Sequence, residues 1–202
     1  KIKRSMLMLA KNVRECLGIL IVLGVMCIIL VCLTDKFATP PNLFNIIRQI
    51  TINIFIACGM TLVILLGGID LSVGSVIAVS GCISAGMAKL PVPVAIVIGI
   101  LCGVAVGSLN GFIASFTTIS PFIITLATMN IGRGIARLYT SAKTIAVLDP
   151  RYTFFGTGKI GKIPIQLFLI VAVVAITSFI LNKTRLGRGI YFVGDNEQAA
   201  KY

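Results

Sequence analysis

The chain has no histidine, and only 12% of its 202 residues are charged. Without histidine the commonest general base is missing, and a histidine-based zinc site or proton relay is unsupported. The six cysteines form no C-x-x-C pair and lie in or beside apolar runs, which is typical of small apolar side chains in helices. We therefore expect no metal site, no cofactor and no enzymatic activity in this chain.

Hydrophobic residues, by contrast, make up 57% of the chain, and its mean hydropathy is +1.06. Soluble domains average about 45–50% apolar and about 25% charged residues, so the composition indicates a membrane protein in contact with lipid. The net charge of +12 does not indicate a nucleic-acid partner, because the basic residues cluster at the ends of apolar runs.

Charged residues divide the chain into uncharged stretches long enough to cross a bilayer, for which a helix needs about 20 residues. The longest stretch, 90–132, has room for two spans, and Pro121 stands where the second would begin. The sequence therefore predicts an all-α, polytopic transmembrane helix bundle that forms a single domain, 1–202. The predicted spans are 17–34, 45–66, 71–88, 92–115, 121–139 and 164–182.

The distribution of basic residues indicates which side of the membrane the N-terminus faces. Residues 1–15 carry five basic residues ahead of a retained first span, and an even number of spans places 183–202 on the same side. Counting basic residues gives nine on each side of the membrane, which is a tie. The dense cluster beside the first span favours a cytoplasmic N-terminus, because the first helix usually dominates.

Asp70 is the only charged residue between Arg48 and Lys89. An ionisable group at such a depth normally faces a bundle interior or a water-filled cavity. Gly67 and Gly68 precede it and let the backbone leave the helix, so the segment reads as a broken helix in a transporter or channel. Asp70 is interpreted as a cap of the following helix, as a gate or pathway residue, or as an ion-coupling group, and the first two roles are compatible.

Uncharged polar residues follow one face of the second span, where Asn45, Gln49 and Asn53 are spaced four residues apart. They would either line a pathway and bond the hydroxyl groups of a substrate, or hold neighbouring helices together. Asn130 forms a similar stripe with Arg133 and Arg137, which would reach the membrane interface or form an outer vestibule that meets a partner.

The fourth span repeats glycine with a period of four, at Gly99, Gly103, Gly107 and Gly111. In an apolar helix this spacing forms a groove that another backbone can approach closely. The groove is predicted to pack inside the bundle or, alternatively, against another subunit.

Two segments of the chain are similar to a known family. GGIDLSVGS, residues 67–75, is followed by VIAVSG and resembles the signature of ribose-type sugar permeases, the membrane subunits of ABC importers. RLGRGIYFVGDNEQAA, residues 185–200, resembles the cytoplasmic coupling segment of the same family. The resemblance covers essentially the whole chain and implies the N-terminal two-thirds of a type II permease, in the bacterial inner membrane with its N-terminus cytoplasmic.

The resemblance also implies partners and a mechanism. Two permeases, expected to be a homodimer, form the path, two ATPase subunits hydrolyse ATP, and a periplasmic sugar-binding protein delivers a ribose-like monosaccharide. Asp195 or Asn196 would cap a short helix that presents Glu197, while Ala199 and Ala200 allow close docking on the ATPase. Transport would proceed by alternating access.

Two other classes of function stay open at this point. An ion-coupled secondary transporter would use Asp70 at a broken helix near the midplane of the bilayer. A non-transporting membrane scaffold would need no ATPase and would tolerate changes at Glu197.

Overall fold

The computed structural model describes the backbone of residues 2–196 and the side chains of residues 17–196. These residues form an all-α structure apart from one short hairpin, which confirms the predicted fold class. The helices are α1 (Ile2–Leu33), α2 (Pro40–Leu65), α3 (Val73–Gly86), α4 (Val92–Phe116), α5 (Pro121–Thr140), α6 (Pro150–Thr157), α7 (Ile165–Lys183) and α8 (Arg185–Asp195). The antiparallel strands β1 (Lys159–Ile160) and β2 (Ile163–Pro164) join α6 to α7.

The chain divides after Ile47 into two compact units. The first contains α1, whose large apolar side chains between Leu17 and Leu33 are exposed, as Ile19 at 72% and Ile28 at 65% illustrate. A turn links α1 to α2, and the Asn42 side chain fixes it by donating to the Phe37 carbonyl oxygen at 2.8 Å. An apolar helix without apolar cover is suited to lipid rather than to water.

The second unit is built around α3, which packs against α4 and α5, while α4 also packs against α5. α7 contacts α6 and α8. The buried apolar residues at these helix contacts are mostly modest in size, as Val79, Ala95 and Ala136 show, whereas the larger apolar side chains point outwards. Small residues let apolar helices approach closely where burial of apolar area gives no driving force, as in a membrane.

One end of the second unit is marked by α6. The Arg48 guanidinium of α2 donates to the Thr157 carbonyl oxygen at 3.2 Å, and the Ser84 hydroxyl of α3 lies 2.5 Å from the Tyr152 hydroxyl. Asp149 begins α6 by accepting a hydrogen bond from the Arg151 N–H at 2.8 Å. The same arginine side chain holds the pKa of the Asp149 carboxyl below its ordinary value.

The opposite end is marked by α8. Gly194 lies so close to the Leu65 carbonyl oxygen at the end of α2 that a Cβ there would overlap it. Gly68 approaches Pro121 at the start of α5, since a Cβ on the glycine would lie 3.9 Å from the proline Cβ. α6 and α8 therefore lie at opposite ends of this unit, and the segment after Leu65 is at the α8 end.

Each predicted span falls in a helix, but the lengths differ from the prediction. Among the described residues, the helices long and apolar enough to cross a membrane are α2, α4 and α7, and Leu17–Leu33 and α3 are shorter apolar helices. The third predicted span, about 71–88, is longer than the helix found there, because α3 begins at Val73, ends at Gly86 and has 14 residues. That length is about 21 Å, against about 30 Å of hydrocarbon. The polar segment before it forms a turn instead of a helical first turn.

Candidate functional site

The helix break predicted at Gly67 and Gly68 is present between α2 and α3. The Gly67 backbone has a φ of +79°, a left-handed conformation that glycine adopts without strain. The Gly67 and Gly68 N–H groups donate to the Ile64 and Val63 carbonyl oxygens at 2.9 and 3.0 Å. These bonds satisfy carbonyls at the end of α2, as a helix C-terminus requires inside a membrane.

Asp70 organises the turn that follows. Its Oδ1 atom accepts hydrogen bonds from the Ser72 N–H at 2.7 Å and from the Ser72 hydroxyl at 2.6 Å. Ser72 immediately precedes α3, and its own side chain makes no capping bond to that helix. Asp70 therefore holds the residue in front of α3, rather than bonding the first-turn N–H groups of the helix as a cap would.

A buried polar network ties this turn to two other helices. Asn110 of α4 donates from Nδ2 to the Ser72 hydroxyl oxygen at 3.1 Å, and Thr128 of α5 donates to Asn110 Oδ1 at 2.6 Å. Ser72 and Asn110 are only 1% and 6% exposed. A buried network whose members bond one another fixes the geometry of its neighbours.

Thr125 of α5 makes a second link to the broken segment. Its hydroxyl accepts from the Leu71 N–H at 3.1 Å and contacts the Ile69 carbonyl oxygen at 3.3 Å. The residue is 5% exposed. The link satisfies backbone groups that the broken helix leaves without intrahelical partners.

Asp70 also lines a cleft of about 510 Å³ between α2 and α3. Its walls are apolar and include Phe55, Met60 and Ile77, and Asp70 is the only charged residue among the lining residues. The site thus combines one held carboxylate with an otherwise apolar and partly open cleft.

The predicted amides are not gathered at this cleft. Asn45, Gln49 and Asn53 lie on an exposed face of α2, and none of them is among the residues that line the cleft. Asn130 is exposed on α5 and donates to the Leu126 carbonyl oxygen of its own helix at 3.0 Å. A passage lined by these amides would therefore have to be a different one from the cleft beside Asp70.

The glycines of α4 have two different surroundings. A Cβ on Gly99 would lie 2.8 Å from the Ser84 Cβ, and one on Gly103 would lie 3.2 Å from the Ser80 hydroxyl oxygen, so both face α3. At Gly107 and Gly111 a Cβ would meet no neighbouring atom within 4 Å among the described residues.

The proposed coupling residues are only partly described. Asp195 is the last residue of α8 and Asn196 is its C-terminal cap, so both residues end this helix. Glu197, Ala199 and Ala200 lie outside the described residues. α8 itself begins with a cap in which the Thr184 hydroxyl accepts from the Gly187 N–H at 3.1 Å.

Sequence reasoning missed Ser72, Asn110, Thr125 and Thr128. The sequence does carry a signal, because these are uncharged polar residues in or beside apolar helices. Such side chains must find hydrogen-bond partners where water is absent. Asn110 stands beside Gly111 in the glycine-rich helix, where the glycine period dominates the sequence pattern.

Comparisons with known proteins agree with this architecture. The model of a family described as "Branched-chain amino acid transport system / permease component" matches residues 42–202. The ribose import permease protein of Bacillus subtilis is 42% identical over 193 residues, which are 94% of this chain and 60% of that protein. No solved structure matches the chain.

Two further relatives give similar coverage. The ribose import permease protein of Haemophilus influenzae is 38% identical and is matched over 84% of this chain and 54% of its own length. The D-allose transport system permease protein of Escherichia coli is 34% identical, over 83% of this chain and 52% of its own length. The chain thus spans between half and 60% of these relatives. Since the family model covers most of the chain, this protein belongs to that family of transport-system permease components, which are membrane proteins of the bacterial inner membrane.

Proposed function

We propose that this chain is the translocating part of an ATP-driven importer that carries a ribose-like monosaccharide across the inner membrane. The observation that carries the proposal is the 42% identity to a ribose import permease over 94% of the chain. The relatives are named for ribose and D-allose, which are both monosaccharides. Exposed apolar side chains on α4 and α7 supply the lipid-facing surface that such a subunit needs.

The proposed complex has three kinds of partner. A second copy of the permease completes the path, two ATPase subunits hydrolyse ATP, and a periplasmic sugar-binding protein delivers the substrate. Asn45, Gln49, Asn53 and Asn130 would then meet the path where the second permease closes it, because they lie on exposed faces. Amides can donate to and accept from sugar hydroxyls without introducing charge.

Asp70 is proposed to lie in the pathway or at its gate. A carboxylate is a strong acceptor for hydroxyl groups, and Oδ1 takes both of the hydrogen bonds that Ser72 donates. The second oxygen of the carboxylate is then an acceptor for a passing sugar. A proton- or sodium-coupled transporter would use the same carboxylate at a broken helix, so uptake with and without ATP separates the two mechanisms.

Coupling to the ATPases is proposed to start in residues 195–200. With the N-terminus cytoplasmic, α8 lies on the cytoplasmic side, where an ATPase can reach it. Gly194 contacts the Leu65 carbonyl oxygen, so a displacement of α8 would act on the end of α2 and on the break that follows it. Close-packed elements move as discrete units, which suits the transmission of force to a gate.

The test is the co-purification of the complete permease with its ATPase, measured together with ATP-dependent ribose uptake in proteoliposomes. Ala199→Arg or Ala200→Arg should abolish both, because a long charged side chain would enter a close contact. Glu197→Ala should weaken both mildly, by about 1 kcal/mol, the usual value of one solvated ion pair. Ala146→Arg is the matched control, because Ala146 is exposed in the connection that leads to α6.

The outcomes separate the classes of function. Undiminished co-purification and uptake in both arginine variants would remove the coupling assignment. Uptake that persists without ATP, and that an uncoupler abolishes, would instead favour an ion-coupled transporter. No uptake of any monosaccharide, and no ATPase partner, would favour a scaffold.

A further inference from the structure

The hydrogen bonds at the helix break run in one direction and end on the Asp70 carboxylate. The Thr128 hydroxyl donates to Asn110 Oδ1, Asn110 Nδ2 donates to the Ser72 oxygen, and the Ser72 hydroxyl donates to Asp70 Oδ1. The distances are 2.6, 3.1 and 2.6 Å. Hydrogen bonds in such a chain polarise one another when they lie in a medium of low dielectric constant.

The orientation of the Asn110 amide decides this direction. Its oxygen can only accept and its nitrogen can only donate. Because Asp70 takes the Ser72 proton, the Ser72 oxygen accepts from Nδ2, and Oδ1 then faces the Thr128 hydroxyl, which also lies 3.1 Å from the Ile124 carbonyl oxygen. In the opposite orientation the amide oxygen would face Ser72 and would compete with Asp70 for the Ser72 proton. Water does not compensate for such a change, because Ser72 and Asn110 are buried.

We propose that Asn110 is a positioning residue for Asp70, which acts by fixing the Ser72 hydroxyl so that one carboxylate oxygen is held at the turn. Thr128 supports it by donating to the amide oxygen. The inference rests on the proposed place of Asp70 in the pathway. The relay itself, which is the hydrogen-bond chain from Thr128 through Asn110 and Ser72 to Asp70, can be tested without measuring transport.

Two substitutions change the relay with little change in volume. Asn110→Asp replaces the donor by a second acceptor, so the Ser72 proton is drawn away from Asp70. Thr128→Val removes the hydroxyl that donates to the amide oxygen, whereas Thr128→Ser keeps it. Thr177→Val is the matched control, because the Thr177 hydroxyl donates within its own helix to the Val173 carbonyl oxygen at 2.9 Å.

The measurement is the rate at which a hydrophobic carbodiimide modifies Asp70 in the complete permease in lipid, read by mass spectrometry of its peptides. Asp149 at the start of α6 serves as the internal reference. Asn110→Asp and Thr128→Val should raise the rate at Asp70 about fivefold, because one lost hydrogen bond of about 1 kcal/mol corresponds to that ratio. Thr128→Ser and Thr177→Val should keep the wild-type rate.

An unchanged rate at Asp70 in Thr128→Val and Asn110→Asp would overturn the proposal. Equal increases at Asp70 and Asp149 would also overturn it, because they would indicate general loosening of the fold. If Asn110→Asp does not accumulate in the membrane, the Thr128→Val and Thr128→Ser pair still decides.

Uptake measurements then separate this inference from the proposed function. If Asn110 acts through Asp70, Asn110→Asp should lower uptake in the wild-type background and cause no further loss in an Asp70→Ala background. Independent losses that multiply would contradict the positioning role. Full uptake by Asp70→Ala alone would contradict the pathway role of Asp70, and the labelling rates would still report on the relay.

Discussion

The two halves of α4 carry glycines at the same four-residue spacing, yet they contact the rest of the chain in different ways. In the first half, Gly99 and Gly103 admit the close approach of α3. In the second half, Gly107 and Gly111 have open space at their Cβ positions, and the contact with neighbouring helices is made by the hydrogen bonds of Asn110. One helix therefore uses backbone proximity at one end and a polar network at the other.

The difference shows that small residues repeated every four positions indicate where a helix can be approached closely. The repeat does not indicate which helix or subunit makes the approach. Glycine is required only where another atom occupies the place of its Cβ. The open glycines of the second half are suited to a contact outside this chain, which agrees with the proposed second permease. Substitution to alanine therefore tests the comparison directly, since the same change should have opposite effects in the two halves.

The largest effect is expected at Gly99. Gly99→Ala places a methyl group 2.8 Å from the Ser84 Cβ and 3.1 Å from the Ser80 carbonyl oxygen, so α3 and α4 must separate. Overpacking of this kind costs about 1–3 kcal/mol, and Gly99→Leu should cost more. The thermal stability of the purified permease in detergent is the measurement. Wild-type stability of Gly99→Leu would mean that α3 and α4 do not pack here as described.

Much of this fold could be predicted from the sequence, because charges end apolar stretches and a glycine pair allows a break. Asp70 stood out since a lone charge in an apolar stretch is costly. The short helices α6 and α8 were not predicted as separate elements, although Asp149 and Pro150 form a good helix start. Their positions depend on contacts with distant residues such as Arg48 and Leu65.

The polar network could not be predicted for the same reason. Asn110 and Ser72 are 38 positions apart, and only the packing of α3 on α4 brings them together. The period of four glycines could be read from the sequence, but the environment of each glycine could not. Local pattern predicts the element, whereas the partner of a side chain depends on tertiary contacts.

A smaller effect is expected at Gly103. Gly103→Ala places a methyl group 3.2 Å from the Ser80 hydroxyl oxygen, which is a side-chain atom that can rotate away. We expect a loss of about 1 kcal/mol, at the low end of overpacking costs. Ser80→Ala should relieve it, because it removes the crowded atom. The thermal stability of both single variants and of the double variant is the measurement.

That comparison has a clear contradicting outcome. The Ser80 hydroxyl is buried and has no hydrogen-bond partner among the described residues, so its removal alone should not destabilise the protein. If the double variant is no more stable than Gly103→Ala alone, the contact between Gly103 and Ser80 is not what limits the approach of α3 to α4.

The smallest effect, and one of opposite sign, is expected at Gly107. Its Cβ position has no neighbour within 4 Å in the described part of the chain, and glycine inside a helix is less stable than alanine by about 0.5–1 kcal/mol. Gly107→Ala should therefore keep or slightly raise the thermal stability of the permease dissociated from its partners. Gly111→Ala is the matched variant, because its surroundings are equally open.

Gly107→Leu tests the proposed second permease. If that permease packs against the open glycines, the variant should lower the dimer fraction in size-exclusion chromatography, while the separated chain keeps its stability. A loss of stability in the separated chain would show that the second half of α4 is packed as tightly as the first.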